Sequence, residues 1–494
     1  MDLIRLFSRN AQAMLLALIM LPVGVLVLLA PVFVGWSSHN QWIYILLIAT
    51  MGYALYGGIF LTARHCPLRP LQLPAGSGPI GFSNVAVIIL VGLGLRLLWR
   101  VAILDSPLIT DSEGYVQLAR NLLDHGSYFE YYPQGLYPTE YRGPDPLILY
   151  SYRPPLLPFL IAALLSLGWS IPWILFAIDA LAYLGLSLGF YYWVRHRIGV
   201  GLATNGLWAL AICPPLIVWT GAGMTEILGM ALLLPAIGFF DRAVSSQGPH
   251  LSWAMGAGVF AALAALARAE FIIFPLIWFV MIFFRPSKRG LGLLVLATIT
   301  MILCVLPWVL RNVIVYGDLT MITTGGGITF FTSNHEGSSA SWSPKVWLGP
   351  FEMSGNDEVA AQEIYYRAAY DWIYNNPWKF MVQNMKGFAL MGSGNLDSIL
   401  KVSLSLREDI WYKIAAFLVK AGWLSLTGFC LLRGWQNRRN LLKVDRMLIG
   451  PLTMMATILL VHTLYEAHFR HSLPIIWMLL LCALCGKRLT QFER

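Results

Sequence analysis

The sequence predicts an all-α protein, a polytopic transmembrane helical bundle of about 12 spans with interfacial helices in two long outer loops. Three observations lead there. Of the 494 residues, 57% are hydrophobic and 12% charged, with a mean hydropathy of +0.65, against ~45–50% apolar and ~25% charged in soluble domains. The apolar residues gather in runs of about 17–25, enough for a helix to cross ~30 Å of hydrocarbon, whereas barrel strands would alternate. Basic residues collect at the ends of those runs, mostly on one side. The net charge of +9 therefore reflects membrane orientation, with no basic stripe of the kind that binds nucleic acid.

Spans are expected at 11–36, 41–63, 83–104, 171–194, 201–219, 226–243, 251–267, 271–284, 290–310, 409–432, 447–464 and 473–486. The first run is too long for a signal-peptide core and reads as an uncleaved anchor. With both termini cytoplasmic, Arg5, Arg9, Arg64, Arg69, Arg195, Arg197, Arg242, Arg285, Lys288, Arg289, Arg433, Arg438, Arg439, Lys443, Arg446, Lys487, Arg488 and Arg494 fall inside. The short outer loops then hold only Arg268 and Arg470, the asymmetry that orients membrane proteins. Two long loops, about 105–170 and 311–408, lie outside, and neither reads as an independent domain.

In the first loop, Tyr115, Leu118, Ala119, Leu122 and Leu123 recur at helical spacing between Asp111 and Asp124, predicting a helix lying flat on the membrane surface. Pro155 to Leu167 is apolar but short, an interfacial or re-entrant helix. The second loop has a glycine-rich turn at Gly325-Gly326-Gly327 and a surface helix from about Asn356 to Asn375, ended by Pro377. That glycine run lacks the lysine and hydroxyl of a phosphate-binding loop. The cysteines, Cys66, Cys213, Cys304, Cys430, Cys482 and Cys485, lie mostly in apolar runs and read as packing.

Charge beside lipid is costly, so ionisable residues at the outer rim are the candidates for chemistry. Asp111 opens the first outer helix; Thr110 and Glu113 have capping-box spacing, a reading compatible with catalysis because a helix N-terminus also fixes a carboxylate. Arg153 precedes Pro154-Pro155; it is either a headgroup anchor or a phosphate grip. Glu226 starts an apolar helix, as helix-end residue or site residue. Arg153, Arg268, Arg311 and Arg470 converge on the outer rim, which suggests anion binding. His462, His468 and His471 have no metal-ligand spacing and read as headgroup or cavity contacts.

Asp111-Ser112-x-x-Tyr115-x-x-Leu118-Ala119-x-Asn121-Leu122-Leu123-x-x-Gly126, Arg153-Pro154-Pro155-Leu156, Pro307-Trp308-x-x-Arg311-Asn312 and Arg470-x-x-x-Pro474 resemble the integral-membrane glycosyltransferases of the C superfamily that use polyprenyl-phosphate sugars. The branches are the protein O-mannosyltransferases, lipid A aminoarabinose transferases and galacturonosyltransferases. The resemblance covers about 83–486, after two N-terminal spans with a linker (1–82) and before a cytoplasmic tail (487–494). It implies a catalytic base at Asp111, a carrier-phosphate grip at Arg153, a second acidic position at Glu226 and a basic one at Arg268. Many relatives carry Asp-Glu where this chain has Asp111-Ser112, which leaves open a part for Glu113.

Tyr115 and Tyr152, beside the acid and the arginine in these motifs, are taken with Arg311 and Arg470 as substrate-binding. The resemblance further implies a lipid-linked donor, a glycolipid, glycan or protein acceptor, and an inner-membrane enzyme with an outward-facing site, serving lipopolysaccharide, protein glycosylation or another step of envelope biogenesis. No cofactor is called for; a divalent metal is compatible but no motif indicates one. A modest rise in the Asp111 pKa by desolvation would suit a base. A transporter or lipid-linked sugar flippase is the competing class, although its coupling charges would lie near mid-membrane in related halves.

Overall fold

A computed structural model describes residues 82–104, 108, 110–132, 147–197, 199–245, 250–284, 289–338, 340, 348–392, 416–417, 419–424, 426–428 and 448–485. The expected spans 11–36 and 41–63, most of 409–432, and the tail lie outside the described residues. Among the described residues the regular structure is helical apart from one two-stranded ribbon, β1 (Glu130–Tyr131) antiparallel to β2 (Ile148–Leu149), with Glu130 opposite Leu149.

Five described helices are long and apolar enough to cross a membrane. They are α1 (Phe82–Ala102), α4 (Ile171–Arg197), α7 (Glu226–Ser245), α8 (His250–Ala267) and α10 (Gly290–Tyr316). Shorter apolar helices stand at the other expected positions: α5 (Val200–Ala211) with α6 (Pro214–Trp219), α9 (Phe274–Phe284), α15 (Ile449–Leu464) and α16 (Ile476–Cys485). Helix α8 is lined with buried alanines, Ala254, Ala257, Ala261, Ala264 and Ala265, and these let α7 and α10 approach closely.

The expected span 201–219 is broken. Pro214 and Pro215 deny the backbone N–H groups a continuing helix needs, so α5 ends at Ala211 and α6 restarts at Pro214. The carbonyls orphaned by the break are not left bare in the bundle: Arg96 of α1 donates to Ala211 O at 3.0 Å and to Leu210 O at 3.2 Å. Helix α10 extends past the expected 310 to Tyr316 and closes on Gly317 at φ 75°, a left-handed cap that glycine supplies without strain.

The helix of the first long loop, α2 (Thr110–His125), does not rest on a membrane surface by its apolar face. Tyr115, Val116, Leu118 and Ala119 are buried in the main core with Leu157 and Ile161 of α3 (Leu156–Leu165), so the helical stripe read from the sequence is a packing face. The two long loops share a second, smaller core of Tyr132, Leu147, Leu149, Ile328, Phe330, Phe331, Phe351 and Tyr365. It joins the ribbon to α11 (Gly326–Ser333), α12 (Gly349–Met353) and α13 (Glu358–Asn375). Asp357 caps α13 by accepting from the amides of Val359 and Ala360, and α14 (Pro377–Met391) follows.

Glu358 staples this unit to the first loop, accepting from Thr324 Oγ1 and from the amides of Tyr150 and Ser151. The glycine run has a packing cause. A Cβ at Gly325 would lie 2.9 Å from Tyr152 O, and one at Gly327 2.5 Å from Gln362 O.

Candidate active site

Five chain segments deliver charge to one place. Helix α2 presents Asp111 from its first turn, and the stretch before α3 presents Arg153. The start of α7 brings Glu226, and the turn after α8 brings Arg268 and Glu270. The turn after α15 brings Glu466, and the short 3-10 helix Phe469–Ile475 that follows brings Arg470.

Asp111 is the node. Its Oδ1 accepts from Arg153 Nη1 at 3.0 Å, and its Oδ2 accepts from Arg470 Nη1. Arg153 Nε also donates to Glu130 Oε2 at 3.0 Å, and Arg153 lies over the rings of Tyr115 and Tyr152, 5.2 and 5.4 Å from their centres. Arg470 extends the network toward Glu226 Oε1 at 3.9 Å and Glu466 Oε1 at 3.7 Å.

Arg268 forms the second half. It donates to Glu226 Oε1 at 3.0 Å, Glu270 Oε1 at 2.6 Å and Thr225 Oγ1 at 3.2 Å. The other oxygen of Glu226 accepts from Trp219 Nε1 at 2.9 Å. His462 and His471 stack in parallel, 4.0 Å apart and 6° from coplanar, and Arg268 Nη2 reaches His471 Nδ1 at 3.0 Å. That bond makes Nδ1 the acceptor and leaves the proton on Nε2. Among the described residues, His471 Nε2 and Arg470 Nε are buried without a hydrogen-bond acceptor.

The network reverses the expectation for the Asp111 pKa. Burial alone would raise it, but the adjacent Arg470 and Arg153 guanidinium groups outweigh burial and hold the carboxyl well below the usual carboxylate range. Glu466 goes the other way: burial pushes it up, and Arg470 compensates only in part. Glu130 is likewise raised, by burial against the pull of Arg153.

Of the residues singled out from the sequence, Asp111, Arg153, Glu226, Arg268 and Arg470 meet here, with Tyr115 and Tyr152 under Arg153. Glu113 is exposed and outside the ion-pair network. Arg311 is a brace and does not join the arginine–carboxylate network. Its guanidinium donates to Tyr150 O at 2.9 Å, Ser151 Oγ at 2.7 Å and Tyr128 O at 2.8 Å, while Tyr128 Oη donates to Arg153 O at 3.0 Å. Arg311 thus fixes the backbone that carries Arg153. Glu130 escaped the sequence reading because an acid in a polar, tyrosine-rich loop carries no signal of burial; the β1–β2 ribbon is what turns it inward. Among the described residues no three His, Cys, Asp or Glu side chains are grouped to hold a metal ion.

Gly114 lets α2 lie against Arg153. A Cβ there would stand 2.4 Å from Glu130 Oε2 and 2.5 Å from Arg153 Nε. Gly114→Ala is expected to lower stability by about 1–3 kcal/mol, the cost of overpacking, although alanine is the better helix former. Thermal unfolding of the detergent-purified protein measures it, and an unchanged or raised midpoint would contradict the packing.

His468 gives a pH signature. Its Nδ1 accepts from the amide of Arg470 at 3.2 Å, and burial, then Arg470, push its pKa down from 6.5 to about 4. Between those values the unfolded chain binds a proton that the native state refuses, so stability falls as pH drops through this window. Melting temperature should therefore decline from pH 7 to 4, and His468→Asn should flatten that decline.

Fold and site together define a polytopic helical membrane protein with a buried arginine–carboxylate network at one end of its bundle. No family model matches the sequence, and no curated protein matches it. Solved structures do resemble it. An archaeal oligosaccharyltransferase, AglB from Archaeoglobus fulgidus in complex with an inhibitory peptide and a dolichol-phosphate, is 13% identical with a TM-score of 0.47, over 81% of this chain and 50% of that one. The apo form gives 14% identity and a TM-score of 0.48, over 82% and 50%. ArnT from Cupriavidus metallidurans bound to undecaprenyl phosphate gives 11% and 0.40, over 82% and 77%. The chain spans about half the length of those two oligosaccharyltransferase chains.

Proposed function

We propose that this chain is an integral membrane glycosyltransferase that moves a sugar from a polyprenyl-phosphate carrier to a glycolipid, glycan or protein acceptor, at a site on the outer face of the membrane. One observation carries the reading: Arg153 and Arg470, from the first and last outer segments, share the two oxygens of Asp111. Two guanidinium groups bracketing one small anion make a seat that a phosphate can also occupy, since both offer paired donors in a plane. Beside them, Arg470 Nε faces Glu226 Oε1 at 3.9 Å and His471 Nε2 faces Glu466 Oε1 at 4.0 Å, both beyond hydrogen-bond length.

A sugar phosphate carries its own leaving group, so neutralising charge on the departing phosphate suffices and a second carboxylic acid is unnecessary. The acceptor oxygen attacks the anomeric carbon, the bond from that carbon to the phosphate oxygen breaks, and its electron pair leaves with the phosphate. Inversion follows from a single displacement. The acceptor proton passes to Asp111. While bracketed by two cations Asp111 is a weak base; when the carrier phosphate draws Arg153 and Arg470 to itself, the carboxylate is released beside a new negative charge and its proton affinity rises. Arg268, with Glu226 and Glu270, holds the far wall.

The test is transfer by the purified protein in detergent or nanodiscs, with polyprenyl-phosphate sugars supplied as candidate donors and product read by mass spectrometry of acceptor fractions. Donor-dependent product supports the reading. Carrier flux across proteoliposomes without product would favour a flippase and overturn it.

A further inference from the structure

The transmembrane part of the bundle holds buried charges that the proposed chemistry does not use. Arg96 and Arg100 lie one turn apart on α1, and Asp179 lies on α4; all three are at most 5% exposed. Charge at such a place is costly unless it does something for the fold or the site. Arg96 caps the broken end of α5, as described above, with its guanidinium 3.7 Å over the Tyr183 ring. The other two converge on the backbone of a single residue, Gly221, in the turn that leads to Glu226. Asp179 Oδ2 accepts from the Gly221 amide at 2.8 Å, and Arg100 Nη1 donates to the Gly221 carbonyl at 3.3 Å.

That turn is the floor of the site. Gly221 and Gly223 adopt φ of 79° and 72°, and their missing side chains are needed. A Cβ at Gly221 would lie 3.0 Å from Arg100 Cδ, and one at Gly223 would lie 2.6 Å from Ser112 Cβ. The turn is therefore pressed against the residue next to Asp111. Met224 in the same turn touches Arg470, its sulfur 3.9 Å from Nη1, and Thr225 and Glu226 both accept from Arg268. Moving Gly221 would shift Glu226, the seat of Arg470 and the start of α2 together.

We propose that Asp179 and Arg100 are positioning residues, holding the Gly221–Glu226 turn from two different spans and so fixing the spacing between Asp111 and Glu226 that Arg470 bridges. The inference rests on the glycosyltransferase reading. It predicts that Asp179→Ala, which removes the acceptor for the Gly221 amide, lowers kcat/KM for transfer by up to about 100-fold, the scale of an ångström-size misplacement. Asp179→Asn keeps an oxygen at that place and is expected to restore most of the activity.

A purely structural role would lower yield and melting temperature without coupling to the site, so the deciding measurement is a double-mutant cycle on kcat/KM. Combined with Glu226→Gln, Asp179→Ala should add little to the loss that Glu226→Gln causes alone, because both act through one element. Multiplying losses, or wild-type kinetics in Asp179→Ala, would overturn the proposal. Should Asp179→Ala fail to accumulate, Arg100→Gln, which trims the contact on the carbonyl side, enters the same cycle and decides in the same way. Wild-type protein assayed alongside separates the two failures: no donor-dependent transfer by wild type overturns the function and this inference with it, whereas wild-type transfer with uncoupled variants overturns the positioning role alone.

Discussion

Asp111→Asn is expected to fold, to bind the lipid-linked donor and to transfer sugar about 100- to 10,000-fold more slowly, the range lost with a general base. The fold survives because asparagine is nearly isosteric and its oxygen still accepts from a guanidinium group; α2 is in any case held by Tyr115, Val116, Leu118 and Ala119 in the core. Donor binding survives because the phosphate takes Arg153 and Arg470 from Asp111 rather than leaning on it. With one anion fewer competing for the two arginines, donor affinity should stay level or rise while kcat collapses. Binding of a radiolabelled polyprenyl-phosphate sugar, set beside turnover, measures both. Wild-type turnover in Asp111→Asn would remove the base assignment, and loss of binding with retained transfer would reverse the roles given to acid and arginines.

The second large effect is expected at Arg470. It touches Asp111, Glu226 and Glu466, so Arg470→Gln leaves three buried or half-buried carboxylates short of a cation at once. Truncating one partner of a buried, hydrogen-bonded charge pair costs about 2–5 kcal/mol, and here the loss should appear in donor affinity as well as in stability. Arg470→Lys keeps the charge but not the planar fork, and is expected to recover stability more than binding. Equal donor affinity in Arg470→Gln and wild type would show that the phosphate is held elsewhere. Lowering pH works on the same contact: the ion pairs of Asp111 stabilise the fold fully above the ordinary carboxylate pKa of ~3.9 and are lost only as pH falls through its depressed native value.

Much of this site was legible because the chain is so apolar. Against that background Asp111, Arg153, Glu226, Arg268 and Arg470 stand out one by one, and the cost of lone charge beside lipid says that they should find partners. Which partners is a tertiary matter. That two guanidinium groups close on Asp111 from distant segments cannot be read from spacing, and this is why its pKa moves down where desolvation by itself would move it up. Arg311 was grouped with the other arginines by position along the chain, yet its partners are uncharged: the carbonyls of Tyr128 and Tyr150, the Ser151 hydroxyl and the Asn312 side-chain oxygen. The Asp179–Gly221–Arg100 contact was invisible for a related reason, since the partner is the backbone of a glycine, with no side chain to mark it.

For the fold, run length located the five long spans to within a few residues at most ends. It overran Pro214-Pro215, punctuation that apolar flanks disguise. It also assigned the apolar stripe of α2 to a membrane surface, because periodicity tells which face is buried and not what buries it.

The most direct test of the account is a structure of the protein with a polyprenyl phosphate bound, determined in nanodiscs. The account predicts the phosphate within hydrogen-bond distance of Arg153 and Arg470, with Asp111 drawn away from at least one of them and open toward the acceptor side. A phosphate bound elsewhere, with Asp111 still bracketed by both arginines, would contradict it.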